Sequence, residues 1–362
     1  MNFSFNFSDF TLTMLPMNLL AVLPELFLFL AISVLLLVGS SYSTSKKHGY
    51  PMLVKPIAWL TMFSLFLAFL LVINNPVPYQ IVFSGALIID NFTNFVKAVI
   101  LLSSIACLAV SLDYIKHERI HAFEYSILIL FAVVGMLLLV SSYDLITLYL
   151  AIEMVSLSSY VLATFKRQSA FSTEAGLKYF ILGAFSSGLL LFGSSMVYGL
   201  TGTTNFGNIS TFLSLSGNDI SLVSIGLVIG VLFIGIALLF KATAAPFHMW
   251  APDVYEGSPT IVSTFFAVVP KIAILGLFLR LFMFSFYGLA VFWQQLIIFC
   301  SLTSMVMAAL IALKQRKLKR FFAYSSVGHV GYLLIGFATG TIEGVYAMMV
   351  YTVIFTCIYY YI

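Results

Sequence analysis

The sequence predicts an all-α polytopic membrane protein of about 11 transmembrane helices. Three observations predict it. The chain is 62% hydrophobic and 8% charged, where a soluble domain carries about 25% charged residues. Its mean hydropathy is +1.09. Its apolar runs recur at about the 20 residues that cross a bilayer, and the loops between them leave no room for a soluble domain. The 36 Phe and 19 Tyr suit lipid-facing and interfacial positions.

The expected spans are 19–42, 56–74, 92–112, 122–141, 143–165, 174–200, 221–249, 259–285, 289–313, 321–340 and 343–362. Spans four and five are joined almost directly, with Asp144 at the junction. Charge placement tests this count. Of the 17 Lys and Arg, 12 fall in loops joining an odd span to the next even one. They are Lys46, Lys47, Lys55, Lys116, Arg119, Lys166, Arg167, Lys314, Arg316, Lys317, Lys319 and Arg320. The even-to-odd loops hold none apart from Arg280 at the end of span eight. By the positive-inside rule the basic loops face the cytoplasm or matrix, which puts the N-terminus on the other side. The loop after span seven is the exception, carrying Asp253 and Glu256 but no base. It is expected to do something other than set topology.

Several chemistries are disfavoured. A net charge of +4 without a Lys-rich tail does not point to nucleic acid. Cys107, Cys300 and Cys357 stand alone in apolar runs and read as small core residues without metal or redox spacing. The glycines are scattered through helices, where they permit close packing, and form no phosphate-binding loop. Residues 1–18 show no basic n-region, so the chain is expected to be inserted where it is made, in a bacterium or an organelle.

The chemistry is expected from charges inside the spans. Lys241 ends an almost wholly apolar run, and Pro246 follows five positions later. An ionised lysine at the bilayer centre costs about 2.5–3.5 kcal/mol on insertion scales. The proline is expected to break the helix and free the carbonyl of Ala242. Ionisable groups beside helix breaks mark ion or proton paths. Glu153, deep in span five, needs a partner from another helix, and Lys241 is the expected one. A static ion pair holding two helices together is the structural alternative, although buried pairs contribute little stability.

Lys271 follows Pro270 deep in span eight, so a lysine beside a proline occurs twice. Lys178 lies one helical turn after Glu174 and can pair with it; helix-end pairing alone would explain both. His329 sits within span ten, where its ordinary pKa near 6.5 suits proton relay, and a simple bond to a serine or a carbonyl is the alternative. His248 reads as a gate or cap closing the span-seven break, and Asp253 as a second gate candidate. Lys97 and Arg280 lie near span ends and are expected to snorkel to the interface.

The stretch FKATAAPFHMWAPDVYEGSPTIVSTFFAVVPKIAILGLFLR, residues 240–280, resembles the antiporter-like proton-pumping subunits of respiratory complex I. Its PFHMWAPDVYEGSPT wording is similar to the chain 2 and bacterial N branch of that family. The segments 143–163, 171–199 and 319–344 resemble the same branch, and SYSTSKKHGYP at 41–51 resembles its plant and algal mitochondrial form. The resemblance implies a charged axis through Glu153, Lys178, Lys241 and Lys271. It implies two inverted five-helix repeats, each with a broken helix.

The domains are then expected at 1–120 (three N-terminal helices), 121–285 (the first repeat) and 286–362 (part of the second). The second broken helix would lie beyond residue 362. A separate polypeptide, a truncated chain or an early end in this lineage would each account for that. NADH, FMN, iron–sulfur clusters and ubiquinone are expected in other subunits, with no cofactor on this chain. Expected partners are chains 4 and 4L, accessory subunits of the membrane arm, and the bilayer. The alternatives are a cation/proton antiporter or membrane-bound hydrogenase subunit, and a purely structural spacer within complex I.

Overall fold

Backbone groups in a bilayer must be satisfied within the protein, so long apolar runs fold as helices. The computed structural model describes residues 17–42, 53–75, 79–117, 123–166, 168–215 and 225–361. The short α1 (Met17–Ala21) leads into α2 (Leu23–Tyr42), α3 (Val54–Ile73) and the hairpin β1 (Gln80–Val82)–β2 (Leu87–Ile89). Next come α4 (Asn91–His117), α5 (Glu124–Ser141), α6 (Leu145–Ala163), α7 (Ala170–Thr201) and the short α8 (Phe206–Leu215). The chain continues through α9 (Ile225–Ala242), α10 (Trp250–Gly257), α11 (Thr260–Arg280), α12 (Ala290–Ala312), α13 (Leu318–Ala338) and α14 (Ile342–Tyr361).

Ten of these helices are long and apolar enough to cross a membrane. The eleventh expected span corresponds to α14, whose apolar stretch Ile342–Cys357 is shorter. The first residues expected in span seven, and the basic positions Lys46, Lys47, Arg119 and Arg167, lie outside the described residues. α11 is the most enclosed crossing helix and packs against α4, α5, α9 and α14.

The loops gather at two ends in the alternation that the charges predicted. At one end the hairpin, the α5–α6 junction and the segments flanking α8 are stitched by backbone bonds. Tyr143 N donates to Ala86 O at 2.9 Å, Leu145 N to Thr204 O at 3.0 Å, and Phe206 N to Tyr143 O at 3.0 Å. Asp144 makes the near-direct α5–α6 joint possible. Its Oδ1 caps α6 by accepting from Ile146 N at 2.7 Å, and its Oδ2 accepts from Thr204 Oγ1. At the other end the α6–α7, α10–α11 and α12–α13 connections meet. Ser172 Oγ donates to Ala163 O at 2.9 Å, and Lys319 Nζ to Ser258 O at 2.8 Å.

Two basic residues correct the snorkelling expectation. Lys97 on α4 is buried, not interfacial, and its ammonium meets Glu25 Oε1 of α2 at 2.5 Å with side chains 2% and 3% exposed. Arg280 turns inward at the end of α11 and binds Asp90 at 2.8 Å. Each has a carboxylate from another element at its own depth, so neither charge is left unpaired away from water.

Candidate functional site

The expected break in span seven is present, and it begins earlier than its proline. α9 ends at Ala242, directly after Lys241. Thr243 adopts a left-handed φ of 65°, a conformation that costs a β-branched residue about 1–3 kcal/mol. Thr243 N and Ala244 N close the helix end on Phe240 O and Leu239 O. The break is held by α12: Ala245 N donates to Ser304 Oγ at 2.8 Å, and Thr303 Oγ1 donates to Ala245 O at 2.9 Å. Pro246 thus sits within a turn and frees no helical carbonyl of Ala242. The carbonyl put to use is that of Phe240, which accepts from Trp250 Nε1 at 3.1 Å. α11, by contrast, runs continuously through Pro270.

Lys241 does not pair directly with Glu153. Its ammonium donates to Ser156 Oγ at 2.7 Å and reaches Tyr160 Oη at 3.5 Å. Glu153 Oε1 is buried without a hydrogen-bond partner. The two charges remain within electrostatic reach of one another. Glu153, Ser156 and Tyr160 follow at i, i+3 and i+7 on α6 and so share one face. Behind Lys241 lies an aromatic wall. Tyr160 meets Tyr179 edge-on at 4.8 Å, and Tyr179 stacks on Trp250 at 4.5 Å.

Lys271 repeats the arrangement one helix further on. It is 1% exposed and donates to Ser326 Oγ of α13 at 2.9 Å. His329, one turn after Ser326, shares a 2.8 Å hydrogen bond between Nδ1 and Tyr351 Oη. This set of polar groups comprises two clusters, one of α6 and α9 around Lys241 and one of α11, α13 and α14 around Lys271. Its lysines rest on serine hydroxyls, which the sequence reading did not single out. The available signal was the position of Ser156, one helical turn from a lone buried glutamate.

Lys178 joins more than Glu174. It meets Glu174 Oε1 at 2.8 Å and Asp253 Oδ2 at 2.8 Å. Asp253 also accepts from Arg320 at 2.8 Å, and Glu256 pairs with both Arg320 and Lys317. The acidic residues of α10 thus dock onto the basic α12–α13 connection, which explains why their loop carries no base. Burial alone would raise the Glu256 carboxyl; bonds from Lys317 and Arg320 outweigh it and hold it below its ordinary value. His248 is buried in the break beside Tyr324, ring centroids 6.1 Å apart, and its Nδ1 has no hydrogen-bond partner.

Residues 142–361 match the family model described as NADH:quinone oxidoreductase/Mrp antiporter, TM. The chain is 53% identical over 337 residues to NADH-ubiquinone oxidoreductase chain 2 of Marchantia polymorpha, covering 92% of this chain and 68% of that one. It is 48% identical to the chain 2 protein of Arabidopsis thaliana, covering 91% and 66%. The chain thus spans about two thirds of the length of these relatives. Among solved structures, respiratory complex I from Thermus thermophilus superposes with a TM-score of 0.72 at 28% identity, covering 93% of this chain and 69% of that one. An α9 helix broken beside a half-buried lysine, a buried lysine on α11 and these likenesses agree: the chain belongs to the NADH:quinone oxidoreductase/Mrp antiporter transmembrane family.

Proposed function

We propose that the chain is a proton-translocating membrane-arm subunit of respiratory complex I, moving protons as NADH reduces ubiquinone elsewhere in the complex. The single observation that carries this reading is the pair of lysines inside the bundle, half-buried Lys241 and buried Lys271, each resting on a neutral hydroxyl. A static scaffold favours a carboxylate beside each buried ammonium, as at Lys97. A free hydroxyl accepts from an ammonium and donates to an amine, so Ser156 can serve Lys241 in both protonation states.

In this reading Glu153, Lys178, Lys241, Lys271 and His329 form the proton path, with the break between Ala242 and Trp250 lending backbone polarity. His248 and the Asp253 cluster gate the break. The membrane is the mitochondrial inner membrane, with the basic end in the matrix and the N-terminus on the intermembrane side. The first five-helix repeat covers 121–285, and the helices after it begin the second. NADH, FMN, iron–sulfur clusters and ubiquinone belong to other subunits, and chains 4 and 4L are neighbours.

The test is Lys241→Ala and Glu153→Gln in the assembled complex. Protons pumped per electron should fall sharply. If pumping and quinone-reductase activity are both unchanged, the chain is a spacer. Extraction in mild detergent separates the transport alternatives: the reading requires a large NADH-oxidising complex, and a small cation exchanger would refute it.

A further inference from the structure

We propose that Ser156 is the bridge through which Lys241 and Glu153 exchange a proton; the inference deepens the proton-path reading and rests on it. Three observations on α6 carry it. The Lys241 ammonium contacts Ser156 Oγ at 2.7 Å rather than the carboxylate. Glu153 Oε1 is buried without a hydrogen-bond partner. Ser156, itself buried, lies one helical turn from Glu153, where side chains at i and i+3 are neighbours.

The other serines of this stretch show what is special about Ser156. Ser158 and Ser159 donate their hydroxyl protons to Met154 O and Val155 O of their own helix, at 2.9 and 2.7 Å. Ser326, the corresponding partner of Lys271, donates to Ala323 O at 2.8 Å. It can accept from Lys271, but its own proton is committed. Ser156 donates to no backbone carbonyl of its helix among the described residues; its hydroxyl is hydrogen-bonded with Tyr160, and Glu153 lies one turn away on the same face. It is therefore a rotor with a lone pair on the lysine and a proton to give.

The step balances. One N–H bond of the Lys241 ammonium breaks as a new O–H bond forms on Ser156. The original Ser156 O–H breaks as an O–H bond forms on Glu153 Oε1. Lysine ends as a neutral amine, glutamate as a neutral acid, and serine is unchanged. Tyr160 is the resting acceptor from which the hydroxyl swings.

The experiment compares Ser156→Ala, Ser156→Thr, Ser158→Ala and Glu153→Gln in the assembled complex in native membrane vesicles. Pumping per electron and quinone reduction are normalised to complex content. Ser156→Ala should lower pumping about tenfold or more, as for loss of a proton-transfer group, and Ser156→Thr should restore most of it. Ser158→Ala, which removes a hydroxyl bonded only to its own helix, should retain pumping. If the alanine variant does not assemble, Ser156→Cys, with its weakly bonding thiol, should show the loss instead. Undiminished pumping in Ser156→Ala, or an equal loss in Ser158→Ala, overturns the proposal. Undiminished pumping in Glu153→Gln sinks the broader proton-path reading, which distinguishes the two failures.

Discussion

Arg280 turns one guanidinium nitrogen, Nη2, onto both oxygens of Asp90, at 2.9 and 2.8 Å, and onto Thr93 Oγ1 at 2.9 Å. This contact ties the end of the most enclosed helix, α11, to the loop that opens α4. Removing one partner of such a pair strands the other charge in a poorly solvated site. Arg280→Ala should destabilise the subunit by about 3 kcal/mol, read as a lower melting temperature of the purified complex.

The same contact predicts an acid response. Burial alone would raise the Asp90 carboxyl, but the Arg280 charge and the Thr93 and Arg280 hydrogen bonds outweigh it and lower the group below its ordinary 3.8. A depressed carboxylate contributes stability above its unfolded value and loses it as pH falls through the folded one. The Asp90 contribution should therefore be intact at pH 5 and decline only below about pH 3.8. Asp90→Asn should remove that acid-dependent part. Melting curves of both proteins across this range decide it: an unchanged acid slope in the variant refutes the assignment.

The buried Glu25–Lys97 pair predicts non-additivity. Lys97→Met leaves a carboxylate buried at 3% exposure and should cost about 3–5 kcal/mol. The double change Glu25→Leu, Lys97→Met removes both charges and should recover most of the loss, because apolar residues of similar volume replace buried pairs at little cost. Assembly yield and melting temperature of the four members of this cycle give the coupling directly. Equal losses in single and double variants would show that one of the charges acts beyond the pair.

Much of this was legible in the sequence, for definite reasons. Apolar runs of membrane length left little choice but helices, and Lys241 beside Pro246 announced the break. What stayed hidden was set by which helices meet. Glu25 on α2 and Lys97 on α4 have a helix and a hairpin between them, so nothing local marks them as partners. Arg320 and Asp253 meet across 67 residues. The expected Glu153–Lys241 contact was right in region and wrong in atoms, because the rotation of α6 presents Ser156 to the ammonium. Pattern and period identify a helix face; they do not specify which of two neighbouring residues on it reaches across.

The charge cluster at the basic end predicts a small effect on stability. Asp253 and Arg320 are 34% and 39% exposed, and exposed pairs are worth about 0–1 kcal/mol before salt screening. Asp253→Asn should leave the melting temperature nearly unchanged. If the cluster gates the break, the same variant should lower pumping with assembly intact, and Lys178→Gln should lower it in the same direction. Parallel measurement of melting and pumping separates the roles: loss of stability without loss of pumping would assign Asp253 to scaffolding.

Two glycines of α7 give a matched test of how closely the lysine helix must be held. A Cβ on Gly193 would lie 2.7 Å from the Gly230 carbonyl oxygen of α9, with Ile234 at 3.0 Å, so the two backbones touch there. Ser186 Oγ donates to Ala237 O at 3.2 Å one stretch further along the same seam. Lys241 follows four residues later, so the seam fixes its helix. A Cβ on Gly188 would meet nothing within 4 Å. Gly193→Ala forces backbone apart and should cost about 1–3 kcal/mol, as for overpacked cores. Gly188→Ala should be neutral or slightly stabilising, because alanine loses less entropy in a helix. Both variants carry the same chemical change on the same helix, so propensity cancels and only the contact differs. Melting and pumping should fall in Gly193→Ala and hold in Gly188→Ala. Equal behaviour would mean that the seam relaxes freely and does not position Lys241.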